Sequence, residues 1–175
     1  MNNLKILQIA SKELGTKEIE GDEDNPRVVE YHKFASISNE IEAPDSVPWC
    51  ASFVCWVLEM TGLKSTNSKR ARSFEKIGKR VEIHNYLPGD VIVFYRNGHH
   101  SGQGHVGFLI WMNKGHAYVL GGNQSDQVSV TRISVEKMTA IRRMATEDDD
   151  VEELKKFAVK VMYSCGTIEE VGSVI

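Results

Sequence analysis

Apolar positions in the first third of the chain recur at helical spacing. Leu4, Leu7, Ala10 and Leu14 share one face, which predicts a helix over residues 3–15 that stops at Gly15. The run EIEGDEDNPRVVEY turns between Gly21 and Pro26, and Val28, Val29 and Tyr31 predict a second, short helix. The acidic residues before it (Glu18, Glu20, Asp22, Glu23, Asp24) lack the alternation and closing glutamate of an EF-hand loop, so they read as a solvated loop. After Pro48, WCASFVCWVLEMTG carries Phe53, Val54, Val57 and Leu58 as the buried stripe of a helix, with Gly62 as its stop. Residues 65–80 predict a further short helix. From Gly89 the period changes: DVIVFY, HVGFLIWM, AYVLGG and QVSVTRI are short β-rich runs bounded by Gly, Asn or Asp, the pattern of an antiparallel sheet. Helices followed by strands make an α+β fold rather than a parallel βαβ one. The acidic run TEDDD then opens a closing helix with Val151, Leu154, Phe157, Ala158 and Val161 on one face.

Composition narrows the function classes. A chain of 175 residues, 41% hydrophobic and 26% charged, suits one globular domain with a single core. A net charge of -3 provides no general attraction to polyanions, so nucleic acid is not an expected partner. No window approaches the roughly 18 consecutive apolar residues of a membrane span. MNNLKILQIASKELG lacks the continuous apolar region of a secretory signal, so the protein is expected to be made in the cytoplasm without a signal peptide. The spacing of Cys50, Cys55 and Cys165 fits neither a disulfide framework nor a zinc site. Free thiols, no metal, no cofactor and a monomer are the expectations.

The cysteines carry the chemistry. A thiol reacts as thiolate, and backbone N–H groups at a helix start favour that form. Cys50 has this position, although a place in the core is open to it as well. Cys55, amid Phe53, Val54, Trp56 and Val57, reads as a core residue, and so does Cys165 in the closing helix. A catalytic cysteine needs a histidine base and a polar group to orient it. Of six histidines, His105 in GQGHVGFLIWM begins a strand, on a rigid element with its ring reachable; a satisfied strand-end histidine is the alternative. If HVGFLIWM pairs with HAYVLGGN about Asn113-Lys114-Gly115, Met112 faces His116 and His105 faces Asn123, roughly 4.5–5.5 Å apart at Cβ. His116 would then lie about 23 Å along the ladder from His105. His99 and His100 sit in a Gly-rich loop and Asp90 in a turn before a strand. GxSxG, Walker and dinucleotide fingerprints are absent.

VPWCASFVCWVL, LPGDVIVFYR, GHVGFLI and VLGGNQSDQVSV, with ELGTKEIEG and DNPRVVEY before them, resemble the CHAP and NlpC-type cysteine peptidases that hydrolyse peptidoglycan, most nearly a phage or phage-derived endolysin-like subgroup. The resemblance spans about residues 10–143. It implies a papain-like α+β fold, N-terminal helices packed on a small antiparallel sheet, with residues 1–145 as the catalytic domain and 146–175 as a helical extension on the same domain. By matching position, Cys50 is the implied nucleophile, His105 the base and Asn123 its orienter; many NlpC enzymes use a second histidine on the next strand, which leaves His116 as an alternative. Trp49 and Asp45 flank the nucleophile and Gln124 follows Asn123; these three are the candidates for the groove wall, with a core place as the alternative for Trp49. The implied activity is hydrolysis of an amide in the wall peptide stem, by endopeptidase or amidase cleavage, after release to the wall by a route other than a signal peptide. A cysteine amidohydrolase toxin acting on another amide, or a non-catalytic wall-binding module, are the alternatives.

Overall fold

The computed structural model describes residues 1–35 and 43–166; residues 167–175 of the expected extension lie outside the described residues. Among the described residues, four α-helices, α1 (Asn3–Ala10), α2 (Pro26–Lys33), α3 (Cys50–Met60) and α4 (Val151–Ser164), pack with a six-stranded sheet of β1 (Lys79–Arg80), β2 (Val91–Tyr95), β3 (Gly104–Asn113), β4 (His116–Gly121), β5 (Ser129–Ser134) and β6 (Met138–Arg143). The spatial order is β1-β6-β2-β3-β4-β5, and every pairing is antiparallel. This is the α+β architecture expected from the sequence: helices first, an antiparallel sheet, then a closing helix.

Several local expectations are corrected. The first helix is shorter than 3–15, because α1 tightens into a 3₁₀ turn over Ser11–Glu13. Residues 65–80 contain a 3₁₀ segment, Ala71–Lys76, followed by β1. There the Ser65 hydroxyl bonds Asn67 Oδ1 and accepts from Asn67 N–H, and Ser68 Oγ accepts from Arg70 N–H, local bonds that compete with helix formation. The strand β6 was not among the β-rich runs. Its MTAIRR sequence is only half apolar, because it lies near one edge of the sheet, between β1 and β2. Finally, α3 has no polar face at its start: Cys50 to Leu58 are all buried, so the expected stripe is a helix sunk into the core.

The sheet separates two apolar layers. Val91, Val93, Val106, Phe108 and Leu120 face the helices and meet Trp49, Phe53 and Val57. Ile92, Phe94, Leu109, Val119 and Ile141 form a smaller layer on the other side. This alternation is the period-2 pattern of strands buried on both faces. The β3–β4 hairpin is irregular: Asn113 faces His116 and Met112 faces Ala117, one residue off the expected register, and a shift between Leu109 and Trp111 then brings Leu109 opposite Val119. The bulge restores the expected register for the rest of the ladder, toward the His105 end.

One buried carboxylate ties the start of α1 to the sheet. Asp90, fully buried at the start of β2, accepts from Asn3 Nδ2 at 2.9 Å, from Leu87 N–H at 2.8 Å and from Arg143 Nε and Nη2 at 2.8 Å each. The turn before it needs glycine: Gly89 has φ +89°, and a Cβ there would lie 2.9 Å from Asn3 Cβ. Asp149 accepts from the N–H groups of Asn3 (3.0 Å) and Leu4 (2.8 Å), and Asp150 from those of Glu152 (3.0 Å) and Glu153 (3.1 Å). The acidic run therefore caps two helices, α1 and α4, which pack on each other. Replacing Asp90 strands the Arg143 guanidinium beside unpaired buried groups. Asp90→Ala is expected to lower unfolding free energy by about 3–5 kcal/mol, measured by urea denaturation; a loss of less than about 1 kcal/mol would show that the cluster is dispensable.

Candidate active site

Cys50 is the first residue of α3, and Trp49 before it makes no side-chain cap. The helix's first N–H groups therefore have no side-chain cap, and those of Cys50 and Ala51, with the N–H of Val106 from β3, lie near enough to the thiol to favour its charged form. Burial pushes the Cys50 thiol above its ordinary range, while these N–H groups and the positive charge of Arg96 pull the other way. The net direction is upward, so the resting group is a thiol.

His105 precedes Val106 on β3 and is buried. Its Nε2 lies 3.0 Å from Gln124 Oε1. The amide of Gln124 has its orientation fixed, because its Nε2 donates to the carbonyls of Val119 (3.1 Å) and Ser129 (2.5 Å). Its oxygen must then accept from the imidazole, which places the ring proton on Nε2 and leaves the lone pair on Nδ1. Gly121 makes room for this contact, since a Cβ there would be 3.4 Å from His105 Nε2 and 3.3 Å from Gln124 Oε1. A guanidinium nitrogen of Arg96 lies 3.4 Å from Nδ1. Burial and the Arg96 charge depress His105 to about 4, against the favourable bond to Gln124. Thiol and imidazole are therefore both neutral at rest. Among the described residues, no hydrogen bond joins Cys50 to the ring.

The remaining candidates divide. Asn123, expected to orient His105, adopts φ +55° just beyond β4 and donates instead to Glu18 Oε1 at 2.8 Å. The side chain that meets the ring belongs to the next residue, Gln124, expected at the groove wall. Trp49 is fully buried and donates from Nε1 to the same Glu18 oxygen at 2.7 Å, so it occupies its alternative place in the core. Asp45 is buried and accepts from Ile19 N–H (2.9 Å) and Asn25 N–H (2.8 Å), clasping the loop before α2 rather than lining a groove. Cys55 is buried beside Thr66, and His116 stays at the hairpin turn near the Lys114 carbonyl. His99 stacks on Tyr95 with ring centroids 4.2 Å apart.

Sequence reasoning did not reach Glu18, Arg96 or the role of Gln124. Glu18 belongs to the acidic run expected to be a solvated loop, yet it joins Trp49, before Cys50, to Asn123, beside Gln124. Arg96 follows a strand and carries no periodic signal. His32 was also unassigned: its Nδ1 lies 2.9 Å from Ser52 Oγ between α2 and α3, and burial depresses it to about 4.

Residues 42–123, just under half of the chain, match the CHAP domain. No curated protein matches the sequence. In fold, the chain is similar to NlpC1 from Trichomonas vaginalis, at 17% identity and a TM-score of 0.51, over 83% of this chain and 45% of that one. It is similar to NlpC2 from the same organism at 16% identity and 0.51, over 83% and 48%. The P60 domain of a Mycobacterium avium subspecies paratuberculosis antigen gives 12% and 0.52, over 83% and 96%. The chain spans less than half the length of the two NlpC proteins. These likenesses carry the fold, an NlpC/P60-like, papain-like α+β arrangement.

Two outcomes follow from this geometry. A raised thiol pKa means that the thiolate fraction grows only as pH climbs past the usual thiol range. Carbamidomethylation of Cys50 by neutral iodoacetamide, read by peptide mapping, is expected to keep accelerating above pH 9; a plateau between pH 5 and 8 would indicate a resting thiolate–imidazolium pair instead. Gln124→Ala frees the ring to adopt the other tautomer, and about a 10- to 100-fold fall in turnover is expected with little change in KM.

Proposed function

We propose that this chain is a cysteine-dependent hydrolase that cleaves an amide in the peptide stem of peptidoglycan. The observation that carries the reading is the pairing of a thiol at an uncapped helix start with the strand that bears a tautomer-fixed imidazole. The CHAP match over the segment containing all three residues Cys50, His105 and Asn123 supports it. We assign Cys50 as nucleophile, His105 as base and Gln124 as the group that orients it, with Asn123 acting through Glu18 on the segment before the nucleophile.

The chemistry follows from neutral partners. His105 Nδ1 takes the Cys50 proton as sulfur attacks the carbonyl carbon, so charge separation develops together with the S–C bond. The N–H groups at the start of α3 are donors for the oxyanion. The tetrahedral adduct collapses with cleavage of the C–N bond, and the imidazolium gives its proton to the departing amine. Water then loses a proton to His105 and attacks the thioester, releasing the acid and restoring the thiol.

A lytic enzyme of phage-derived kind, reaching the wall after release by a separate route, is the setting that the GHVG and GGNQ motifs support. Residues 1–145 form the proposed catalytic domain, and α4, packed on α1 and β3, serves the same unit. Purified peptidoglycan is expected to release soluble fragments with wild type and none with Cys50→Ala. Fragment masses then separate cleavage at the lactyl–L-alanine bond from cleavage within the stem. Equal inactivity of both proteins, with Cys50 still open to alkylation, would move the substrate to another class of amide.

A further inference from the structure

Arg96 occupies the nitrogen that the reaction needs. The lone pair on His105 Nδ1 must receive the Cys50 proton, yet in this structure it faces a guanidinium N–H at 3.4 Å. Arginine can only donate, so while the contact lasts the base is engaged. The same charge reaches Cys50, where it favours thiolate.

The surroundings state what would draw Arg96 away. A cavity of about 480 Å³ opens beside His105, and its wall includes Arg96, Lys137, Asn97, Ser125 and Thr131, with no carboxylate among the lining residues. Among the described residues, neither Arg96 nor Lys137 makes an ion pair. Two cations and several neutral donors therefore share a concave wall without a counter-charge. Such a wall is complementary to an anion of small, planar shape, and arginine presents the forked donor set that a carboxylate accepts.

We propose that Arg96 recognises a free carboxylate on the substrate, close to the scissile amide, and in doing so releases His105 Nδ1 for Cys50. The inference rests on the reading of Cys50 and His105 as the reacting pair. It deepens that reading by naming the substrate class: acidic peptides whose carboxylate is left unamidated. Arg96 is thus a specificity residue whose exchange of partners couples binding to activation of the base. Lys137, across the same wall, adds attraction without touching the ring.

Two measurements test this independently. First, matched stem peptides carrying either a free carboxylate or its carboxamide beside the cleaved bond are compared by kcat/KM. Wild type is expected to favour the acid about tenfold or more, the scale of one charge-assisted contact. Arg96→Ala should collapse that ratio, and Arg96→Lys should restore part of it; an unchanged ratio in Arg96→Ala overturns the proposal. Second, Cys50 is alkylated by iodoacetate and iodoacetamide, with its peptide mapped to exclude Cys55 and Cys165. The iodoacetate-to-iodoacetamide rate ratio is expected to fall severalfold in Arg96→Ala, and an equal ratio in both proteins counts against the anion site. Because alkylation needs no wall substrate, a lowered ratio without peptide cleavage would keep the carboxylate site and reject peptidoglycan as its source, whereas cleavage without acid preference rejects the site and keeps the enzyme.

Discussion

The close approach of the α3 tip to the end of β4 is the constraint on which the site depends. Gly122 lies so near Trp49 that a Cβ would sit 2.4 Å from Cζ3 of the indole and 2.8 Å from Phe53 Cβ. Only a residue without a side chain permits that contact, and without it the helix would ride higher above the sheet. Because the tip comes this close, the Cys50 thiol lies near the N–H of Val106, the residue that follows His105. The glycine pair Gly121-Gly122 thus serves two neighbours at once: Gly121 leaves space for the imidazole–amide contact, and Gly122 admits the indole.

Electrostatics then set the resting state. A buried site disfavours charge on both partners, which raises the thiol and lowers the imidazole. An orienting carboxylate would stabilise imidazolium; the amide oxygen of Gln124 supplies direction with no full charge. The arrangement gives up a preformed ion pair but keeps a single tautomer, and it leaves the protonation state of the pair open to control by charges brought near it. Arg96 is the only charged group in direct contact with the ring among the described residues.

Much of this was legible in the sequence for physical reasons. The α+β class followed from a change of hydrophobic period at Gly89, and the setting of Cys50 from an apolar run that begins right after Pro48. The ladder register, counted from the turn, is off by one residue there and agrees again at Leu109 only because the shift between Leu109 and Trp111 cancels the offset. A bulge carries no compositional mark when all of its neighbours are apolar. Gln124 escaped because pairing rules stop where the strand stops: beyond Gly121 the chain enters left-handed conformations at Asn123, Ser125 and Asp126, and side-chain direction there is set by the local turn. Glu18 and Arg96 are long charged side chains on loops, whose sequence neighbourhood resembles any solvated surface.

The carboxylate of Asp149 on the N–H groups of Asn3 and Leu4 has a consequence for the order in which the molecule can be completed. During synthesis α1 emerges with its Asn2 cap long before Asp149 can join it, and the strand residue Arg143 that neutralises Asp90 also arrives later than either partner. Until residues 143–149 have left the ribosome, the nascent chain carries a helix whose first N–H groups lack Asp149 and a carboxylate whose arginine partner is missing. Docking of α4 on α1 and of β6 on β2 has to wait for these residues, whereas α1, α2, β3 and β4, which pack on α3, all precede them in the chain.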